Sequence, residues 1–313
     1  MIFNSIGAVL SIFFMIGVGV FVYYKKWTDR KNASMLAKIV VNIAVPANVL
    51  YSFLNNFNRS IIAESGLYIL IGFVSMIVTY YFSRLVIALF KIEKGRRGLF
   101  AIMFSFSNSV FIGFPVARAL FGESAMLYAV LFYLVNTIMF WTFGYMGIRA
   151  DGEGEQKVGF LEILKKLVNV PMISIVLAFA LILLEVKLSS NAMNTLKYMS
   201  NMTTPLSMIF TGIVLADMGL SKLKFEKSLI LVFVGRVLIA PAIMLLIAMM
   251  FGVQGLGRQV FIMQSTLPIM LQSVIMAENY GADSNYATKA FAWTTIFSVI
   301  SIPIYMWLLS TFI

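Results

Sequence analysis

Ten apolar runs, most of them near the length that crosses a bilayer as a helix, follow one another along this chain at a nearly constant pitch. They cover about 2–24, 33–54, 62–90, 99–121, 126–148, 170–185, 193–216, 228–251, 259–280 and 287–310. A spanning helix needs about 20 apolar residues to cross a hydrocarbon core about 30 Å thick. Ten crossings therefore use most of the 313 residues and leave no linker long enough for a separate soluble domain. Charged residues are only 12% of the chain and hydrophobic ones 61%, against about 25% charged in a soluble domain. Too little polar surface exists to face water on all sides. The pattern predicts an all-α membrane protein with ten transmembrane helices.

The basic residues set the orientation. Sixteen of the 24 Lys and Arg fall in the odd-numbered linkers, counting Lys289 at the edge of the last run with the ninth linker, and three in the even ones. Positive residues are retained in the cytoplasm, so the odd linkers are expected inside and both termini outside, in a multi-pass protein of the cell (inner) membrane. The first run has no positive segment before it. The cluster Lys25, Lys26, Arg30 and Lys31 follows it instead, so it is expected to be a retained span, not a cleaved signal. The net charge of +11 is thus a topology signal that lies against lipid headgroups. No basic segment is long enough to read a nucleic acid.

The fifth linker, 149–169, holds the one stretch without apolar pressure, 149–158, with Gly152 and Gly154. Its end, 160–168, reads as an amphipathic helix on the inner surface. It divides the chain into a first five-helix unit, 1–148, and a second, 170–313. Five spans per unit make the second unit enter from the opposite side, so a duplication gives inverted repeats. Matching positions exist. The second span has Asn42, Pro46 and Asn48, and the seventh has Asn201, Pro205 and Ser207 at the same spacing. The fourth has Pro115 after Gly113, and the ninth has Pro268.

Proline inside a helix removes one hydrogen bond and clashes with the preceding turn. In lipid, broken helix is tolerated only where protein or a wet cavity surrounds it. The fourth span carries Ser105, Ser107, Asn108, Ser109, Gly113 and Pro115. The ninth carries Gln264, Ser265, Thr266, Pro268, Gln272 and Ser273. Both are expected to be broken near their prolines and to cross, with Gly113 supplying unusual dihedrals. Paired breaks of this kind point to a carrier's binding site, because half-helix N-termini offer N–H donors to an anion. The candidate binding residues are Asn108, Ser109, Gly113, Pro115, Pro268, Gln272, Asn42 and Asn201. The two last either line the cavity or bond the carbonyls that the prolines free.

Charges inside the spans are few. Lys38, Arg84, Lys197 and Arg118 lie near span ends and are expected to snorkel; Arg118 has the alternative of attracting an anion. Arg236 lies about 12 Å into the eighth span at 1.5 Å per residue. It is expected either to serve the site with its field or to pair with carbonyls of a broken helix. Gln264 is a candidate ion contact. No carboxylate lies near the midplane, and the chain has no cysteine and no histidine. Thiol chemistry, the commonest metal ligands and the commonest general base are all missing, which argues against an enzyme. No cofactor is implied.

The stretch 107–115, followed by Ala119, Leu120, Phe121 and Gly122, resembles the signature of the auxin efflux carrier family. So does Leu267-Pro268 followed by 276–283. The resemblance covers essentially the whole chain and implies a ten-span, inverted-repeat carrier whose fourth and ninth helices cross, with Asn108, Pro115 and Pro268 at the crossing. It implies a small organic anion as substrate, auxin-like or a dicarboxylate such as malate or malonate. It is similar in architecture to bile acid–sodium symporters. A sodium-coupled symporter and a non-transporting membrane sensor are the alternatives. The coupling ion, Na+ or H+, is open, as is a homodimer.

The topology is directly testable because the chain has no cysteine of its own. Single cysteines at Glu153 and Ile313 should react with an impermeant maleimide from opposite sides of the membrane. Reaction of both from the same side removes the inverted-repeat reading.

Overall fold

The computed structural model describes residues 2–56, 59–152, 159–219 and 226–312. Glu153, Gly154 and Ile313 lie outside the described residues. Among the described residues the chain is helical, with no strand beyond a single isolated bridge. Every one of the ten apolar runs is helical. Six continuous helices among the described residues are long and apolar enough to cross a membrane: Arg30–Asn55, Ser65–Leu89, Ala125–Gly152, Ser190–Met218, Lys227–Met250 and Ser284–Thr311. Leu161–Leu167 and Val170–Leu183 add a seventh if read together, and they are bent by 75° at their junction. The bend follows from Asn169, whose side chain caps the second helix at Met172 N–H (3.1 Å), and from Pro171 in its first turn. Proline is tolerated there because that N–H has no helical partner in any case.

The fourth and ninth runs are each in two pieces. The fourth is Arg97–Ser105 and Ser109–Phe121; the ninth is Gly255–Thr266 and Leu271–Asn279. The ninth breaks at Pro268, as expected. The fourth breaks at 106–108, well before Pro115, which corrects the sequence reading. Pro115 instead follows a π turn, Ser109–Gly113, and sits in the first turn of Phe114–Phe121. Pro46 follows the π turn Val40–Ala44 in the same way, and Pro241 follows Gly235–Ile239. A π turn widens the helix by one residue, which moves the chain away from the clash that the ring would make with the preceding turn. These prolines therefore bend the chain's hydrogen bonding without breaking it.

Two sets of helices enclose the breaks. Ile2–Tyr24 runs along Thr203–Met218, and Val170–Leu183 runs along Val45–Asn56. Close approach in the first pair depends on glycine: a Cβ on Gly212 would lie 2.0 Å from the Ile16 carbonyl oxygen, and one on Gly19 2.1 Å from that of Ile209. The second set gathers Arg59–Leu89, Ala125–Met139, Ala240–Met250 and Ser284–Phe312 around the four half-helices. Non-helical backbone is thus shielded from lipid, the condition under which it is tolerated at membrane depth.

Candidate functional site

The two interruptions meet. Phe106 (φ −111°, ψ 141°), Leu267 (φ −65°, ψ 158°) and Met270 (φ −65°, ψ 124°) are extended. Ser107 and Ile269 pair as an antiparallel bridge, and the Asn108 N–H donates to the Pro268 carbonyl at 2.9 Å. Neighbouring helices hold each strand-like piece. Asn136, fully buried, accepts from the Ser107 N–H (3.2 Å) and donates to the Ser107 carbonyl (2.9 Å) and to Ser109 Oγ (3.3 Å). The Ile269 N–H donates to Thr294 Oγ1 at 3.3 Å. Asn108 Oδ1 accepts from the Phe111 N–H at 3.2 Å, an ordinary helix cap. The N–H groups of Ser107, Asn108, Phe111 and Ile269 are therefore spent on protein acceptors. The Asn108 side-chain nitrogen has no hydrogen-bond partner.

Arg236 closes the other side of the crossing. Its Nη1 donates to the Ser105 carbonyl (2.9 Å), its Nη2 to that of Ser265 (2.6 Å) and its Nε to that of Leu267 (3.1 Å). A longer contact reaches Phe104 O at 3.4 Å. The side chain is 1% exposed. Of the two roles the sequence allows, the pairing with carbonyl ends is the one its geometry displays.

A cavity of about 340 Å³ lies beside the crossing. Asn108, Gln272 and Asn42 line it, with aromatic walls from Phe111, Tyr133, Trp141 and Phe210. Lys38 and Lys166 line it too, and no Asp or Glu does. Neither lysine has a carboxylate within ion-pairing distance among the described residues; Lys166 lies over the rings of Trp141 (5.9 Å) and Tyr145 (5.7 Å). The cavity is adjoined by a second one that shares Phe210, Leu271 and Ile275 and carries both signs of charge. There Arg30 bridges Asp217 (3.7 Å) and Glu278 (3.6 Å), and Tyr23 donates to Asp217 at 3.2 Å.

The remaining sequence candidates fall elsewhere. Ser109, Pro268 and Gln264 are buried at the crossing but do not line the cavity. Both amide atoms of Gln264 are without a hydrogen bond. Gly113 has ordinary helical dihedrals (φ −66°, ψ −46°), so its expected unusual backbone is absent. Its role is proximity: a Cβ there would lie 2.2 Å from Gln264 Oε1 and 2.9 Å from Leu267 Cδ1. Pro115 is buried one turn further on. Asn42 lines the cavity while donating to the Lys38 carbonyl at 3.0 Å, which is not the carbonyl that Pro46 frees. Asn201 is exposed at the end of Ser190–Asn201 and lies outside the cavity. Arg118 does not snorkel freely. It donates to Asn48 Oδ1 (3.0 Å) and Ser200 Oγ (2.9 Å) and pairs with Glu123 (2.9 Å), because those acceptors offer more than open solvent.

Sequence reasoning missed Asn136, Thr294 and Lys166, and it read Lys38 only as a snorkelling residue. Asn136 could have been found as a lone amide inside an apolar run, since polar residues there face an interior. Nothing local brings Lys166 to the cavity, because the fold carries its linker helix back to the crossing.

Comparison with known proteins gives one consistent result. Residues 4–306 match the family model described as membrane transport protein. An uncharacterized transporter of Methanocaldococcus jannaschii is 26% identical over 96% of this chain and 97% of its own length. One from Methanothermobacter thermautotrophicus is 24% identical over the same shares, and the uncharacterized transporter YfdV of Escherichia coli is 22% identical over 96% of each.

Asn136→Ala leaves the Ser107 N–H and carbonyl unpaired in a buried place. Each unsatisfied group costs about 1–3 kcal/mol, so the thermal unfolding midpoint of the purified protein should fall clearly. Asn201→Ala, at an exposed position, should stay within about 0.5 kcal/mol of the parent. Equal midpoints for all three proteins would remove the role given to Asn136.

Proposed function

The chain belongs to the membrane transport protein family, whose motifs are those of the auxin efflux carriers, and on that premise we propose that it is a secondary carrier of a small organic anion. The family is one of multi-pass membrane transporters and not an enzyme class. The observation that carries the reading is the charge of the cavity: two lysines without acid partners among the described residues, the unpartnered Asn108 amide and no lining carboxylate, next to two crossing broken helices. A cavity with that balance favours an anion. Its apolar walls suit the carbon body of an organic acid.

In this reading all ten helical runs cross the membrane as two inverted five-helix repeats, 1–148 and 170–313. Reciprocal packing supports it: the first run lies along the seventh, and the sixth along the second. The supports of the crossing also correspond, with Asn136 holding Ser107 from the fifth run and Thr294 holding Ile269 from the tenth. The substrate carboxylate sits against the Asn108 and Gln272 amides, since the backbone N–H groups of Ser107, Asn108, Phe111 and Ile269 are already bonded. Lys38 and Lys166 draw it in. Alternating access then opens this cavity to one side at a time. In this reading Arg118, tied to Asn48 and Ser200, closes the outer end.

Binding of radiolabelled malate, malonate and indole-3-acetate to the purified protein tests this. A charge-assisted hydrogen bond lost at Asn108→Ala costs about 1.5–3 kcal/mol, or roughly 10–150-fold in affinity. Lys38→Gln with Lys166→Gln should also weaken binding and flatten its dependence on salt. Arg84→Gln, at an exposed position, should change little. Binding unaltered in the Asn108 and lysine variants but lost in Arg84→Gln would place the site elsewhere.

A further inference from the structure

Unwound carbonyls and half-helix C-termini are where transporters with discontinuous helices hold their coupling cations. In this chain those carbonyls already have a cation. Arg97–Ser105 and Gly255–Thr266 end at the crossing with their negative dipole ends converging. Of the carbonyls exposed there, those of Ser105, Ser265 and Leu267 accept from the single guanidinium of Arg236, with a longer contact to that of Phe104. No carboxylate pairs with Arg236 among the described residues, and the group is 1% exposed. A planar guanidinium with five donors can serve three acceptors from two chain segments at once, which an ammonium does less well. Among the described residues its charge is balanced only by carbonyl dipoles, so the crossing keeps a fixed positive field next to the cavity.

We infer that Arg236 is a resident cation. It fills the carbonyl cage that would otherwise hold a monovalent metal ion, so sodium neither binds at the crossing nor is required there for anion binding. Arg236 acts as a positioning residue: it fixes the two half-helices relative to each other and supplies the charge that a coupling ion would bring. The inference rests on the carrier reading for what the crossing does, but its main test needs no substrate.

The thermal midpoint of the purified parent is measured in matched sodium, potassium and choline chloride. It should be the same in all three. Arg236→Ala, purified in the presence of guanidinium, should be less stable in choline. Low guanidinium or sodium should restore at least half of the loss, whereas Asn136→Ala should show no ion-specific recovery. A merely structural arginine would not give that selectivity. Arg236→Lys, which keeps the charge, should stay folded and indifferent to sodium, and it decides the matter with the parent where Arg236→Ala does not fold. Stabilisation of the parent or of Arg236→Lys by sodium alone overturns the inference, as does a folded Arg236→Ala that no cation stabilises. Binding of indole-3-acetate, malate and malonate, compared in sodium and choline, separates this from the carrier reading. Absence of binding in both salts counts against the carrier reading, while binding that needs sodium counts against the resident cation.

Discussion

The Arg236 guanidinium, buried against three carbonyl oxygens of two interrupted helices, is the interaction on which this architecture turns. A helix that stops inside a bilayer leaves its last carbonyls without partners, and the hydrocarbon offers none. An isolated buried charge is equally unfavourable. Each of these liabilities removes the other. The arrangement also explains why the two breaks lie together: one side chain can reach both sets of carbonyls only if the helices end at the same place. On the opposite face of the crossing the solution differs. There Asn136, Thr294 and the Ser107–Ile269 bridge take up the backbone groups of the extended pieces.

Function follows from what that solution leaves free. With the N–H groups of Ser107, Asn108, Phe111 and Ile269 committed, the proposed recognition rests on side chains: the unpartnered Asn108 amide, Gln272, and the lysines that the second run and the linker helix contribute. In the proposed reading the substrate meets amides at the crossing and cations on the second run and the linker helix, which lie outside it.

The helical runs were legible in the sequence because their length and hydropathy are set by the bilayer, a constraint that acts locally. The crossing was legible as paired polar, Gly- and Pro-containing segments, but its details were not. Pro115 looked like the site of the break, yet a π turn absorbs it, and the fourth helix ends where Asn136 and Asn108 offer its backbone other partners. Asn201 matched Asn42 in spacing but lies at an exposed helix end. Spacing reports ancestry and local geometry; it does not report which face turns toward the cavity. Arg236 could be flagged by depth alone, while its partners, 29 to 132 residues away in sequence, could come only from the fold.

The crossing itself can be measured chemically. Opposed residues of an antiparallel bridge have Cα atoms about 4.5–5.5 Å apart, within the range a disulfide spans. In this cysteine-free chain, Ser107→Cys and Ile269→Cys introduced together should form an intramolecular disulfide under mild oxidation in native membranes. Cleavage of the linker between the halves would then leave them joined until reductant is added. Halves that separate without reductant, although both cysteines are present, would contradict the crossing of the two interrupted helices.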